Sequence, residues 1–124
     1  MATKGKTVLL VEDDAFLSKV LAQRLEKEGI KVEKAVDGVE AVEKAKAIKP
    51  DLILLDLILP KKSGSEALEE IRAIAGLKSL PVVVLSNLGQ QEDVERLKKL
   101  GVKDYLVKAD YSLTKIVENI IKHL

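Results

Sequence analysis

"PDLILLDLILPKKSG", residues 50–64, sets one aspartate, Asp56, inside an almost wholly apolar run and then breaks into a Pro-Lys-Lys-Ser-Gly turn. The Leu52–Leu55 stretch has the length of a strand. Its near-continuous Leu and Ile, rather than an alternation, marks a strand covered on both faces, as in parallel sheets. A carboxylate is costly to bury unless it is paired, solvated or coordinated. Asp56 is therefore expected just past the strand, at the open end of the sheet, where the acid need not be buried.

Working outward, runs of the same kind recur at 7–11 ("TVLLV"), 51–55 ("DLILL"), 81–85 ("PVVVL") and 104–107 ("DYLV"). A fifth, "IKVEKAV" at 30–36, alternates Ile30 and Val32 with Lys31 and Glu33 and reads as a half-exposed edge strand. Segments of helical period separate them. In 15–28, Phe16, Leu17, Val20, Leu21 and Leu25 share a face, Asp14 is the N-cap and Gly29 the stop. Asp37-Gly38 opens a second helix carrying Val39, Ala41, Val42 and Ala45. Ser63 or Ser65 caps a third with Ala67, Leu68, Ile71 and Ile74. A short polar fourth spans "QQEDVERLKKLG", and Ser112 caps a last helix that buries Ile116, Val117, Ile120 and Ile121. Strict βα alternation predicts an α/β protein with a parallel sheet, right-handed crossovers and helices on both faces.

The chain's 124 residues, 47% hydrophobic and 33% charged, suit one globular domain over 1–124 rather than a disordered segment. A net charge of +1 advertises neither nucleic acid nor a membrane surface, and with no cysteine there is no thiolate metal site. The apolar stretch 52–60 is too short to span a bilayer, and "MATKGK" has no signal-peptide core. A cytoplasmic domain is the expectation.

In open α/β sheets, sites lie outside the carboxyl ends of the strands. Glu12, Asp13 and Asp14 follow the first run, Asp56 the third, Ser86 and Asn87 the fourth, and Lys108 the fifth; the second is followed only by a helix start. That distribution predicts strand order 2-1-3-4-5. Neighbouring strands lie about 4.8 Å apart, so the acids of the first strand would face Asp56 across one small ion. Three close carboxylates need a counter-cation. Oxygen-only ligands favour Mg²⁺, which takes one or two carboxylates together with water and phosphate. With Lys108 and the Ser86 hydroxyl, the parts suit phosphoryl transfer to a carboxylate.

Over nearly its full length the sequence resembles the receiver domain of two-component response regulators. "LLVEDD" (9–14), "PDLILLDLILPKKSG" (50–64), "PVVVLSN" (81–87) and "GVKDYLVKA" (101–109) carry the likeness. The resemblance implies a flavodoxin-like (βα)5 three-layer sandwich with Asp56 as phospho-acceptor, served by a histidine kinase or a histidine phosphotransfer protein. It implies Asp13 as a direct metal ligand, Glu12 acting through water, and the Ile58 backbone carbonyl as a further ligand, for Mg²⁺ or alternatively Mn²⁺. Ser86 and Lys108 match the family's hydroxyl and lysine, and Tyr105 its switch aromatic. The phosphoryl group would draw the Ser86 loop inward and let Tyr105 turn, altering the face of the fourth helix, fifth strand and fifth helix for an effector. The domain would act as a monomer or a weak phosphorylation-dependent dimer, without direct nucleic-acid or membrane contact, and would catalyse only its own phosphorylation and dephosphorylation.

Two departures from the family pattern carry expectations. Ala109 stands where proline usually follows the lysine, commonly with a cis peptide. A cis bond without proline costs about 2.5–4 kcal/mol, so either a trans peptide with a shifted loop or a strained cis bond is expected. Ile58 and Leu88, two past the acceptor and two past the hydroxyl, are apolar and cannot orient water, which predicts slow loss of phosphate. Phe16 and Tyr111 read as packing residues, and His123 as a surface residue compatible with a helix C-terminus. The competing functions are a phosphorylation-independent receiver-like binding module, an aspartyl-nucleophile phosphohydrolase, which would typically carry an acid at position 58, and a flavodoxin-like cofactor binder, which lacks its phosphate loop.

Overall fold

The computed structural model describes residues 4–87 and 91–124, with the side chains of 91–93 left aside; Leu88 lies outside the described residues. Five strands, β1 (Thr7–Val11), β2 (Lys31–Ala35), β3 (Leu52–Leu55), β4 (Val82–Ser86) and β5 (Asp104–Val107), alternate with α1 (Ala15–Lys27), α2 (Gly38–Ile48), α3 (Gly64–Arg72), α4 (Gln91–Lys99) and α5 (Leu113–His123). The strands form one parallel sheet in the order β2-β1-β3-β4-β5, as the placement of polar strand ends predicts.

Each central strand divides its side chains between two cores. Leu9, Val11, Ile53, Leu55, Val82 and Val84 pack with α2, α3 and α4, whereas Val8, Leu10, Leu52, Leu54, Val83 and Leu85 pack with α1 and α5. The lack of alternation in these runs is thus the imprint of a sheet covered twice. The sheet register sets Val11 beside Leu55, and Leu55 beside Val84. The first polar residues after β1 and β3 therefore emerge side by side.

The helix starts follow the chemistry of their caps. Asp14 accepts from the Phe16 and Leu17 N–H groups at 3.0 and 3.1 Å, Asp37 from Glu40 at 2.8 Å, Ser63 from Glu66 at 3.2 Å and Ser112 from Lys115 at 3.2 Å. Ser63, not Ser65, is the cap of α3. Phe16 is not a packing residue: it is 74% exposed. Ser18, Leu21, Ala22 and Leu25 define the buried stripe of α1, and at 3.6 residues per turn Phe16 points almost opposite to it. Val39 and Tyr111 are exposed as well. β4 runs to Ser86 rather than ending at Leu85, so the hydroxyl belongs to the strand itself.

The Lys108–Ala109 peptide is trans. Lys108–Asp110 forms a single 3-10 turn, in which the Ala109 N–H donates to Asn87 Oδ1 at 3.1 Å. Proline at 109 could not make that bond.

Candidate functional site

Glu12 and Asp56 leave adjacent strands through backbone bonds that fix their direction. The Glu12 N–H donates to Ala35 O and the Asp56 N–H to Val11 O, both at 3.0 Å. Contrary to the expectation of an acid that escapes burial, Asp56 is only 5% exposed and Glu12 3%. The loop that follows β3 folds back over the strand end. Gly64 opens α3 so close to it that an added Cβ would lie 2.2 Å from the Asp56 carbonyl oxygen, and the Gly64 N–H donates to Leu57 O at 2.9 Å.

Burial is offset by pairing. The Lys108 ammonium reaches across the sheet from the end of β5 and donates to Asp56 Oδ2 at 2.9 Å and to Glu12 Oε1 at 2.8 Å. Asp56 Oδ1 accepts the Ile58 N–H at 3.2 Å, and Glu12 Oε2 the Asp14 N–H at 3.1 Å. Burial raises the pKa of Glu12; the Lys108 and Asp14 donors oppose the rise, and the negative charge of Asp56 adds to it. Burial works against the charged form of Lys108, yet its bonds to Glu12 and Asp56 outweigh that and hold its pKa above the ordinary lysine value. Lys108 is therefore a fixed cation.

Exposed Asp13 completes the group. One carboxylate oxygen from each of Glu12, Asp13 and Asp56 lies within 4.8 Å of the others. With three carboxylates against one ammonium, the formal balance is two negative charges, the complement of one divalent cation. The donor set, all oxygen with no His or Cys, fits a hard ion of the Mg²⁺ type. Ser86, fully buried, ends β4 beside β3. The Ile58 side chain is 59% exposed, and its backbone N–H is already directed at Asp56. Tyr105 is half-buried on edge strand β5 and packed against the α2–α3–α4 core.

Sequence reasoning passed over two contributors, the close approach of Gly64 and the main-chain donor of Ile58, and placed Asn87 at a strand end without foreseeing its bond to the Ala109 N–H. Only the first had a local signal, the Ser-Gly pair at the end of the turn.

Among the described residues no helix is long and apolar enough to cross a membrane. Residues 8–120 match the response regulator receiver domain family. The chain is 45% identical to the chemotaxis protein CheY of Treponema pallidum over 82% of its own length and 71% of that protein's. It is 38% identical to the CheY of Thermotoga maritima over 95% of this chain and 97% of the other. Among solved structures, the phosphorylated cyanobacterial phytochrome response regulator RcpA superposes with a TM-score of 0.81 at 36% identity, covering 94% of this chain and 91% of that one. Fold, clustered strand-end acids and sequence thus agree, and the chain belongs to the response regulator receiver domain family.

Proposed function

We propose that Asp56 is the phospho-acceptor of this receiver domain, and that residues 1–124 act as one cytoplasmic signalling unit served by a histidine kinase or a histidine phosphotransfer protein. The observation that carries the reading is the double contact of Lys108 with Glu12 and Asp56, beside Asp13. A carboxylate oxygen of Asp56 attacks the phosphorus of a donor phosphohistidine. The P–N bond breaks, its electron pair stays on the imidazole nitrogen, and an acyl phosphate forms. Lys108 holds the Asp56 carboxylate in place and offers positive charge to the incoming phosphoryl oxygens. The Ile58 N–H fixes the other carboxylate oxygen, so rotation of the nucleophile is restricted before the donor arrives. Ser86 supplies a hydroxyl donor from the neighbouring strand. Glu12, Asp13, Asp56 and the Ile58 carbonyl would hold Mg²⁺, or Mn²⁺ in its stead, which supplies charge neutralisation at the reacting oxygens.

Modification at Asp56 then acts through Ser86 and Tyr105 on the face of α4, β5 and α5, where an effector binds. The chain works on its own carboxylate rather than on a separate substrate, as a monomer or a weak phosphorylation-dependent dimer. A phosphohydrolase is disfavoured because Ile58 stands where such an enzyme places its general acid. Intact mass after incubation with phosphoramidate and Mg²⁺ tests the assignment. One phosphoryl group is expected on the wild type and none on Asp56→Ala; a gain that survives the substitution, or none in the wild type, refutes it.

A further inference from the structure

α4 is thinly attached. Of its residues 94–99, only Leu97 is fully buried, with Val94 half-buried and the others mostly facing solvent. Two polar attachments come from a single neighbour, α3. Glu69 Oε1 accepts from Arg96 Nε at 2.9 Å and Nη2 at 2.5 Å. Arg72, the last residue of α3, donates through Nε to Leu100 O at 2.7 Å and through Nη2 to Gly101 O at 3.4 Å, the two carbonyls just past the end of α4. Its Nη1 holds Leu77 O at 3.0 Å and Leu80 O at 2.7 Å. The guanidinium thus ties the loop after α3 and the loop after α4 to one helix end.

The other end of α3 rests on the acceptor. Gly64 contacts the Asp56 carbonyl closely enough to exclude a side chain, and its N–H is bonded to Leu57 O. Between these ends lie only nine residues, about 13 Å of helix, anchored in the core through Ala67, Leu68 and Ile71. A close-packed helix of that length moves as a body rather than absorbing a displacement.

We propose that α3 is a strut between Asp56 and α4, with Glu69 and Arg72 as the positioning residues that pass a change at the acceptor to the carboxyl end of α4. The proposal rests on the assignment of Asp56 as phospho-acceptor. Adding a phosphoryl group to one carboxylate oxygen alters what the Ile58 N–H and the Lys108 ammonium can bond to. The turn from Leu57 to Ser63 must readjust, and Gly64 carries the shift into α3. This route is separate from the one through Ser86 and Tyr105 and enters α4 from its opposite end.

The test uses the wild type and two surface variants, Glu69→Gln and Arg96→Gln, each treated with phosphoramidate and Mg²⁺. Intact mass reads the fraction phosphorylated, and amide NMR reads Leu100, Gly101 and Val102. All three proteins are expected to take up phosphate equally, with the phosphorylation-linked shifts at 100–102 reduced about twofold or more in both variants. Arg72→Lys, which keeps the charge but loses the fork, is expected to behave likewise, with its thermal melt recorded alongside. Undiminished shifts in Glu69→Gln and Arg96→Gln at equal labelling overturn the strut and leave the acceptor assignment standing. Loss of labelling in those two variants would put the pair in the acceptor site itself and also overturn it. No labelling of the wild type overturns both readings.

Discussion

Gly64→Ala is the substitution whose effect the structure defines most sharply. The new methyl would stand 2.2 Å from the Asp56 carbonyl oxygen and 2.7 Å from Leu57 Cα, whereas carbon–oxygen contacts settle at about 3.3–3.6 Å. Both obstacles are backbone, so no side chain can swing away. The amino end of α3 must retreat by about 1 Å, stretching the Gly64 to Leu57 hydrogen bond and loosening Ala67 and Leu68 against the sheet. Overpacking of this kind costs about 1–3 kcal/mol, and backbone obstruction puts it at the upper end. Alanine returns at most about 1 kcal/mol of helix propensity, less at a first helical position. A net loss of about 2 kcal/mol corresponds to roughly 6–10 °C in Tm for a domain of this size. Thermal and urea melts followed by far-UV circular dichroism measure it, with phosphoramidate labelling as a second readout, because the same retreat displaces Asp56. A variant melting within about 2 °C of wild type and labelling normally would refute the close approach.

Three further outcomes are expected. Because burial raises the folded-state pKa of Glu12 above 4.5, its contribution is complete below that value and lost as pH rises through the folded pKa. In chelator, Glu12→Gln should therefore stabilise the protein at pH 7 relative to wild type, the advantage vanishing below pH 4.5; melts across pH 3.5–8 check it, and equal pH profiles count against it. Ile58→Asn introduces an amide two residues past the acceptor and should speed loss of the acyl phosphate about tenfold, ~1.4 kcal/mol in the barrier, measured by the decay of the phosphorylated mass. A wild type already as fast as the variant removes the shielding role of Ile58. Ala109→Pro deletes the donor to Asn87 Oδ1 and should cost about 1–2 kcal/mol in urea melts; a more stable variant would mean that this bond contributes nothing.

The sheet was legible in the sequence because burial on both faces leaves a run such as Val82–Leu85 with no polar residue to obscure it. The order of the strands was legible because Glu12, Asp56, Ser86 and Lys108 sit at strand ends while β2 has no such group. What the sequence hid depends on distance across the fold. That Asp56 is buried follows from Lys108, 52 residues away in the chain, and from a loop folded tightly by Gly64, and neither relation has a local pattern. Phe16 misled because hydrophobicity was taken for direction: its place in the first turn turns it away from the stripe that Leu21 and Leu25 define. Ala109 could be read only as a missing proline until Asn87 was seen to use its N–H.

The charged composition of β2 bears on how such a domain behaves when many copies share a small volume. An edge strand is a template on which a second chain can build a continuous ladder. Lys31 and Lys34 point into solvent on this edge, Lys31 pairs with Glu33 at 3.9 Å, and the Lys44 ammonium from α2 bonds to the Lys34 carbonyl. A neighbouring molecule would have to displace these hydrated charges before laying down a single main-chain bond. That edge is thereby guarded against runaway fibrillar association.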